Sequence, residues 1–198
     1  MNSIRLSIYG LPVIFSLIAL ASCSAPPYQS TAQLRVGDCE IVQADISDPA
    51  FLELEGAYWQ YTQHAGERSY SVDSREGVLR FTRIGTQPWA IFTQQVAVPI
   101  ETGMTLLFSA ELKGEITAEG AFSGIDPIAG LFLQPSIAAS SASLAEHTPN
   151  SGSWDWQSVS VESEAFLDAP NITVGFIHQG GGTLWARNPT LEVVACRD

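Results

Sequence analysis

"TLLFSAELKG", Thr105 to Gly114, is the stretch whose reading decides the fold. Leu106, Phe108, Ala110 and Leu112 fall on one side of an extended chain; Leu107, Ser109, Glu111 and Lys113 fall on the other. Successive side chains of a strand point to opposite faces, so this period of two describes a strand with one apolar face and one wet face.

Outward from this segment the pattern recurs. "NITVGFIHQG" sets Ile172, Val174 and Phe176 against Thr173, Gly175, Ile177 and Gln179. "VLRFTRI" sets Leu79 and Phe81 against Arg80 and Thr82, and "DWQSVSVES" sets Val159 and Val161 against Ser158 and Ser160. "TLEVVAC" turns Leu191 and Val193 inward, and further runs lie at "YWQYTQ", "SYSVDS", "AIFTQQVAV" and "GLFLQP". Gly, Pro, Asn or Asp separates the runs, and almost no segment has a helical period. Many short alternating strands at this spacing predict an all-β protein, an antiparallel β-sandwich of the jelly-roll kind. "GGG" at Gly180 to Gly182 reads as a hairpin turn. "AEHTPNSGS", Ala145 to Ser153, reads as a loop, and "PSIAASSASLAEH", Pro135 to His147, as either a short helix or a weak strand and loop. There is no internal repeat and no second domain.

The N-terminus addresses the chain. Arg5 precedes an apolar run from Leu6 to Ala21, interrupted by Gly10 and Pro12, which suits a secretory signal better than a membrane span. It ends "LASC", which looks like a bacterial lipobox with Cys23 as the acylated first residue of the mature protein. The alternative is an ordinary signal peptide with a stray cysteine. Residues 1–22 are thus expected to be a lipoprotein signal peptide and 23–33 a lipidated Cys and flexible tether. Residues 34–198 should form a single β-sandwich domain of ample size for one core. Ser24, rather than an aspartate, points to the outer membrane of a Gram-negative envelope.

Of the 3 cysteines, Cys23 goes to lipid. Cys39 and Cys196 are left as a disulfide in an oxidising compartment, the alternative being two free thiols. A bridge requires the ends of the domain to be neighbours, as in a jelly roll whose first and last strands share a sheet. The 21 acidic and 9 basic residues give a formal net charge of −12. With Lys113 as the single lysine there is no basic patch for nucleic acid.

Four segments together resemble the carbohydrate-binding modules appended to xylanases and cellulases. They are "SDPAFLELEGAYWQYTQ", the stretch from "GVLRFTR" through "PWAIFTQQVAVPIETGMTLLFSAELKGE", "GSWDWQSVSVE", and "ITVGFIHQGGGTLWARNPTLEVV". No one of them is specific; their order is, over roughly Ile46 to Val194. The resemblance implies a galactose-binding-domain-like jelly roll with a strand at its opening segment. It also implies a structural calcium near the first and last strands. In this chain Arg187 and Asn188 occupy the two acidic positions at the end, and Leu52 stands where the family has a glutamate. What is left is a degenerate calcium position near Asp48, Glu53 and Asn188. Arg187 is expected to replace the ion by pairing with Asp48 or Glu53, and no cofactor is expected.

Sugar sites need flat aromatics for ring faces and amides, acids or Arg for hydroxyls. Of the 5 tryptophans, Trp156 and Trp185 read as core or sheet-surface packing, and Trp59 equally as core or site. Trp89 and Trp154, at loop–strand junctions, are the candidate ligand contacts, with Tyr61, Gln94, Gln134 and His178 as weaker polar partners. His178 reads better as a rim residue ending its strand. The motifs of zinc peptidases, serine hydrolases and phosphate-binding loops are missing, and His64, His147 and His178 lack ligand spacing. A glycosidase pair of facing carboxylates cannot be read from spacing. The sequence thus points to a non-catalytic, lipid-anchored envelope protein binding polysaccharide or oligosaccharide. The alternative is an interaction lipoprotein using the same sandwich to bind a protein partner, with no sugar site.

Overall fold

The computed structural model describes residues 39–120, 127–135 and 151–196, together with the backbone of two short strands at 33–36 and 143–144. The expected signal segment, Cys23, the tether, His147 and most of the stretch from Pro135 to His147 lie outside the described residues.

Twelve strands and no helix are found among the described residues: β1 (Gln33–Val36), β2 (Cys39–Ala44), β3 (Gln60–Gln63), β4 (Tyr70–Arg75), β5 (Val78–Arg83), β6 (Trp89–Ile100), β7 (Thr105–Thr117), β8 (Ile128–Gln134), β9 (Ser143–Leu144), β10 (Gly152–Glu164), β11 (Ala169–Gln179) and β12 (Gly181–Cys196). They form two antiparallel sheets, a β-sandwich with jelly-roll character. The first sheet is organised by β12. One edge of β12 pairs with β7 from Gly181–Thr117 to Val194–Thr105. Its other edge pairs with β5 over Thr183–Ala186, then with β2 over Leu191–Cys196. β4 flanks β5, β1 flanks β2, and β10 flanks β7. The second sheet has the order β3-β6-β11-β8-β9.

The alternation read in the sequence is the packing. Leu106, Phe108, Ala110 and Leu112 of β7 face Phe92, Val96 and Val98 of β6 and Ile172, Val174 and Phe176 of β11 across one core. Each large apolar side chain buried there stabilises the fold by about 1.5–3 kcal/mol. At its centre Trp59 stacks on Phe92 with ring centroids 5.2 Å apart and lies 5.1 Å from Phe51, while Phe176 joins both Phe51 and Phe108.

Cys39 and Cys196 face each other as register partners of β2 and β12 and are bridged, with Cα atoms 3.9 Å apart. The first and last parts of the domain are therefore adjacent, as the cysteine spacing required.

Three local expectations are corrected. The glycines after Gln179 do not make a hairpin. β11 belongs to one sheet and β12 to the other, so they carry the chain between sheets. A Cβ on Gly180 would meet Pro127 Cβ at 2.7 Å and the Thr117 carbonyl oxygen at 2.9 Å, so the crossing runs where only glycine fits. The segment 46–56 is not an opening strand. Asp48, Phe51 and Glu55 have φ of 49°, 54° and 54°, outside the range of a strand. The bend turns Phe51 into the core, where it is fully buried. Finally, the loop expected to reach Ser153 ends earlier, because Gly152 and Ser153 already pair with Ile116 and Glu115.

Candidate functional site

β11 lies at the middle of the five-stranded sheet, and its odd-numbered side chains face away from the core. Register extends these positions into rows. Thr173 lies between Gln95 of β6 and Gln134 of β8; Gly175 lies between Thr93 and Phe132. Gln60 of the edge strand continues the Thr93 row. Ile177 lies between Ile91 and Gly130, and Gln179 between Trp89 and Ile128. Thr173 and Gln179 are six positions apart, about 20 Å at the rise of a strand. Among the described residues no Asp, Glu, Lys or Arg stands on this face, although the chain carries 21 acids. Amides, hydroxyls, a few aliphatics and the aromatics Trp89 and Phe132 make it up.

Gly175 puts no side chain at the middle of the face; Gly175, Thr93, Phe132 and Gln179 are buried there, Thr173, Ile177 and Gln134 are half-buried, and Gln60 and Gln95 are exposed. A Cβ on Gly175 would approach Thr93 Cα at 2.7 Å and run into the Phe92 carbonyl oxygen. At one end Trp89 is half-buried, and the His64 ring meets it edge-on at 6.1 Å. The His64 amide donates to the Trp89 carbonyl at 3.3 Å. Of the residues singled out in the sequence, Trp89 and Gln134 stand on this face, toward its two ends.

The others do not. Trp59 is fully buried, and its Nε1–H donates to the Asp48 carbonyl at 3.1 Å. A ring with no exposed surface, stacked on Phe92 and packed against Phe51 and Phe176, cannot stack on a sugar. Gln94 is 3 % exposed. Its Oε1 accepts from the Ser47 amide at 3.0 Å and its Nε2 donates to the Ser47 carbonyl at 2.9 Å, which ties the loop after β2 to β6. Its neighbour Gln95 is the residue that reaches the outer face. Gln94 shares parity with Phe92, Val96 and Val98, so the alternation of "AIFTQQVAV" already held this distinction.

Tyr61 packs against the core with the Arg68 guanidinium 4.2 Å above its ring, and its hydroxyl donates to Gln63 Oε1 at 2.5 Å. Burial pushes its phenol pKa up. Trp154 is half-buried over Gly114 on the first sheet. It lines a surface depression of about 220 Å³ with Lys113, Glu115, Ser153 and Asp155. It is therefore remote in register from Trp89 and Gln134, which belong to the other sheet. Gln60, Thr93, Gln95, Thr173 and Gln179 complete the face and were not singled out from sequence.

His178 is no rim residue. It is fully buried between Tyr70 and Phe81, 5.1 Å and 5.6 Å away by ring centroid, with Nε2 3.3 Å from the Gly182 carbonyl and Nδ1 without a hydrogen-bond partner among the described residues. Desolvation pushes its pKa down to about 4 from 6.5. The neutral form is the folded form, while the unfolded chain takes up a proton near pH 6.5. Stability from this site is thus complete above pH 6.5 and falls as pH drops toward 4. Urea unfolding should show a loss of about 2 kcal/mol from pH 7 to pH 5, a window above most of the carboxylate titrations. His178→Gln should flatten that slope. An unchanged slope in the variant would assign the acid sensitivity elsewhere.

Arg187 pairs with neither Asp48 nor Glu53. Its Nε donates to Glu111 Oε2 at 2.9 Å, and Asn188 Nδ2 donates to the other oxygen of the same carboxylate at 2.9 Å. Register explains this, because Arg187 and Glu111 are directly opposite on β12 and β7. Asn188, with φ of 53°, takes up the irregularity that follows. These hydrogen bonds, Arg187's foremost, hold the Glu111 carboxyl below its ordinary pKa. The guanidinium also lies 4.2 Å over Trp156, and Lys113 lies 5.7 Å from Trp185. Both tryptophans are thereby built into the outer surface of the first sheet. The Asp48 carboxylate accepts the amides of Leu52 and Glu53 at 2.8 Å each, so it serves its own loop. Among the described residues no three His, Cys, Asp or Glu side chains converge as metal ligands.

No family model and no curated protein matches the chain. Solved structures similar to it include the following three. The enzymatically active domain of tailspike protein 4 from bacteriophage CBA120 is 14 % identical at TM-score 0.49, covering 68 % of this chain and 19 % of that one, so the match spans about a fifth of that domain's length. A protein described under "CBM4 structure and function" is 18 % identical at TM-score 0.48 over 75 % of this chain and 99 % of that one. The CBM22-1 xylan-binding domain of Paenibacillus barcinonensis Xyn10C is 10 % identical at TM-score 0.43 over 69 % and 87 %. The fold assignment above rests on strand order and register, independently of these likenesses.

Proposed function

We propose that this chain is a non-catalytic carbohydrate-binding protein of the bacterial envelope, held to the outer membrane by acyl chains on Cys23. It binds glycan on the outer face of the five-stranded sheet. The observation that carries the reading is the composition of that face. In a chain of net charge −12, this face carries no charged side chain among the described residues, and it offers exposed Gln60 and Gln95, half-buried Thr173 and Gln134, and half-buried Trp89 at one end. Amide side chains each present donors and an acceptor, which matches the pairing needs of sugar hydroxyls. An aromatic face matches the apolar face of a pyranose ring. A lack of charge means that binding requires no ion to be desolvated. No metal takes part in this scheme.

Affinity gel electrophoresis of the mature protein against xylan, glucans, galactans, alginate and peptidoglycan fragments tests it. Retardation by at least one polysaccharide is expected, unchanged by EDTA and abolished in Trp89→Ala. Since Trp89 is half-buried at a strand start, that variant should keep its melting behaviour within about 1 kcal/mol. A folded protein that no glycan retards would transfer the face to a protein partner.

A further inference from the structure

Phe166 and Leu167 are 67 % and 51 % exposed, side by side in the turn between β10 and β11. Their exposure is not the result of a slack loop. Ala165, just before them, is fully buried. Its amide donates to the Met104 carbonyl and its carbonyl accepts from the Gly103 amide, each at 2.8 Å. Just after them, Asp168 Oδ1 accepts from the Thr102 amide at 2.8 Å and the Thr102 hydroxyl at 2.9 Å. The turns β6–β7 and β10–β11 are thus laced into one tip, and two large apolar side chains are held outward from it.

The tip is at the end of the sandwich where the chain enters. Gln33 pairs with Val42, Val42 with Val193, and Val193 with Leu106, next to the first residue of β7. Ten positions separate Cys23 from Gln33 in sequence, a span of at most about 35 Å. We infer that Phe166 and Leu167 seat this end of the domain in the interface of the bilayer that carries the anchor. This rests on acylation of Cys23. The two side chains supply apolar area for the headgroup–acyl boundary, as a second, weak attachment beside the acyl chains. Glu101, Glu164 and Asp168 flank them, so the surface that fits is zwitterionic and anionic lipid repels it. The same seating holds the opposite end of the sandwich, with Trp89, away from the membrane.

A spin label tests it. With Cys39 and Cys196 bridged and Cys23 acylated, Leu167→Cys presents a unique thiol. The labelled protein is reconstituted in phosphatidylcholine–phosphatidylethanolamine vesicles beside an Ile84→Cys control, whose side chain is 62 % exposed at the far end of the sandwich. The label at 167 should collide with oxygen in preference to a water-soluble nickel chelate, and the label at 84 should show the reverse. Raising the phosphatidylglycerol fraction should move the 167 label back toward water. Equal access of both labels to the chelate would overturn the inference. So would shielding of the 167 label from both reagents with a concentration-dependent doubling of mass, which would make a second copy the occupant. If mass spectrometry finds no acyl chain on Cys23, the anchoring reading fails by itself. The unacylated protein with Cys23→Ser, in which position 167 or 84 still carries a unique thiol, then decides with the same vesicles whether the tip partitions.

Discussion

Replacing Cys39 and Cys196 together by serine is expected to cost the fold about 5 kcal/mol, by the loop-entropy account for a bridge spanning 157 residues. For a domain of this size that is a fall in melting temperature on the order of 10–20 °C. It would remove much of the 5–15 kcal/mol that natural domains have in all. The bridge joins register partners at the end of the β2–β12 ladder, so its removal also lets that ladder fray from the terminus. Cys196 is exposed and Cys39 half-buried, so a reductant should reproduce the loss in the unmodified protein. Thermal melts with and without dithiothreitol measure it. A shift smaller than about 1 kcal/mol would mean that the unfolded chain is already compact enough to hold these ends together.

Trp59→Ala should be nearly as damaging, by about 3–5 kcal/mol, the range for deleting a large buried aromatic. The indole stacks on Phe92, touches Phe51 and Phe176, and donates to the Asp48 carbonyl. Its removal leaves a cavity at the centre of the core and frees the loop 48–59. Trp59→Phe keeps most of the volume and should lose clearly less. Any loss of glycan binding in Trp59→Ala should track the fraction unfolded in urea, in contrast to Trp89→Ala. A Trp59→Ala protein that melts like the parent yet fails to bind would return Trp59 to the site.

The fold was legible because alternation survives tertiary packing. β5, β7, β10, β11 and β12 present the side chains that their period of two demanded, since each has one face on a shared core. The parts that were not legible depend on partners distant in sequence. The segment 46–56 reads as a strand until Asp48, Phe51 and Glu55 adopt positive φ, a conformation chosen by the burial of Phe51 and the amides gathered by Asp48. The glycines at 180–182 look like a hairpin because a local reading does not reveal that β11 and β12 join different sheets. Arg187 found Glu111, 76 residues away, and that pairing follows only from the β7–β12 register.

The candidate site shows the same division. Trp89 and Gln134 were readable as loop-edge or strand-end polar and aromatic residues. The centre of the face is readable in pieces, because the alternation of "NITVGFIHQG" puts Thr173, Gly175, Ile177 and Gln179 on a common side. What was missing was the phase of "AIFTQQVAV". Counting from Phe92 and Val96 places Gln94 inside and Gln95 outside, and the structure gives Gln94 to Ser47. That β3, β6, β11 and β8 lie side by side, and so gather Gln60, Gln95, Gln134 and Gln179 on one surface, is a property of topology alone.

Glycan binding on this surface is reported directly by the side-chain amide resonances of those four glutamines. Heteronuclear NMR of the isotope-labelled mature protein should be recorded while a retarded oligosaccharide is titrated in. The amide groups of Gln60, Gln95, Gln134 and Gln179 and the indole of Trp89 are expected to shift together, with one saturation curve. The indoles of Trp156 and Trp185 should stay in place. Movement of the Trp156 and Trp185 indoles with the four glutamines unmoved would contradict this, and would place the ligand on the opposite sheet.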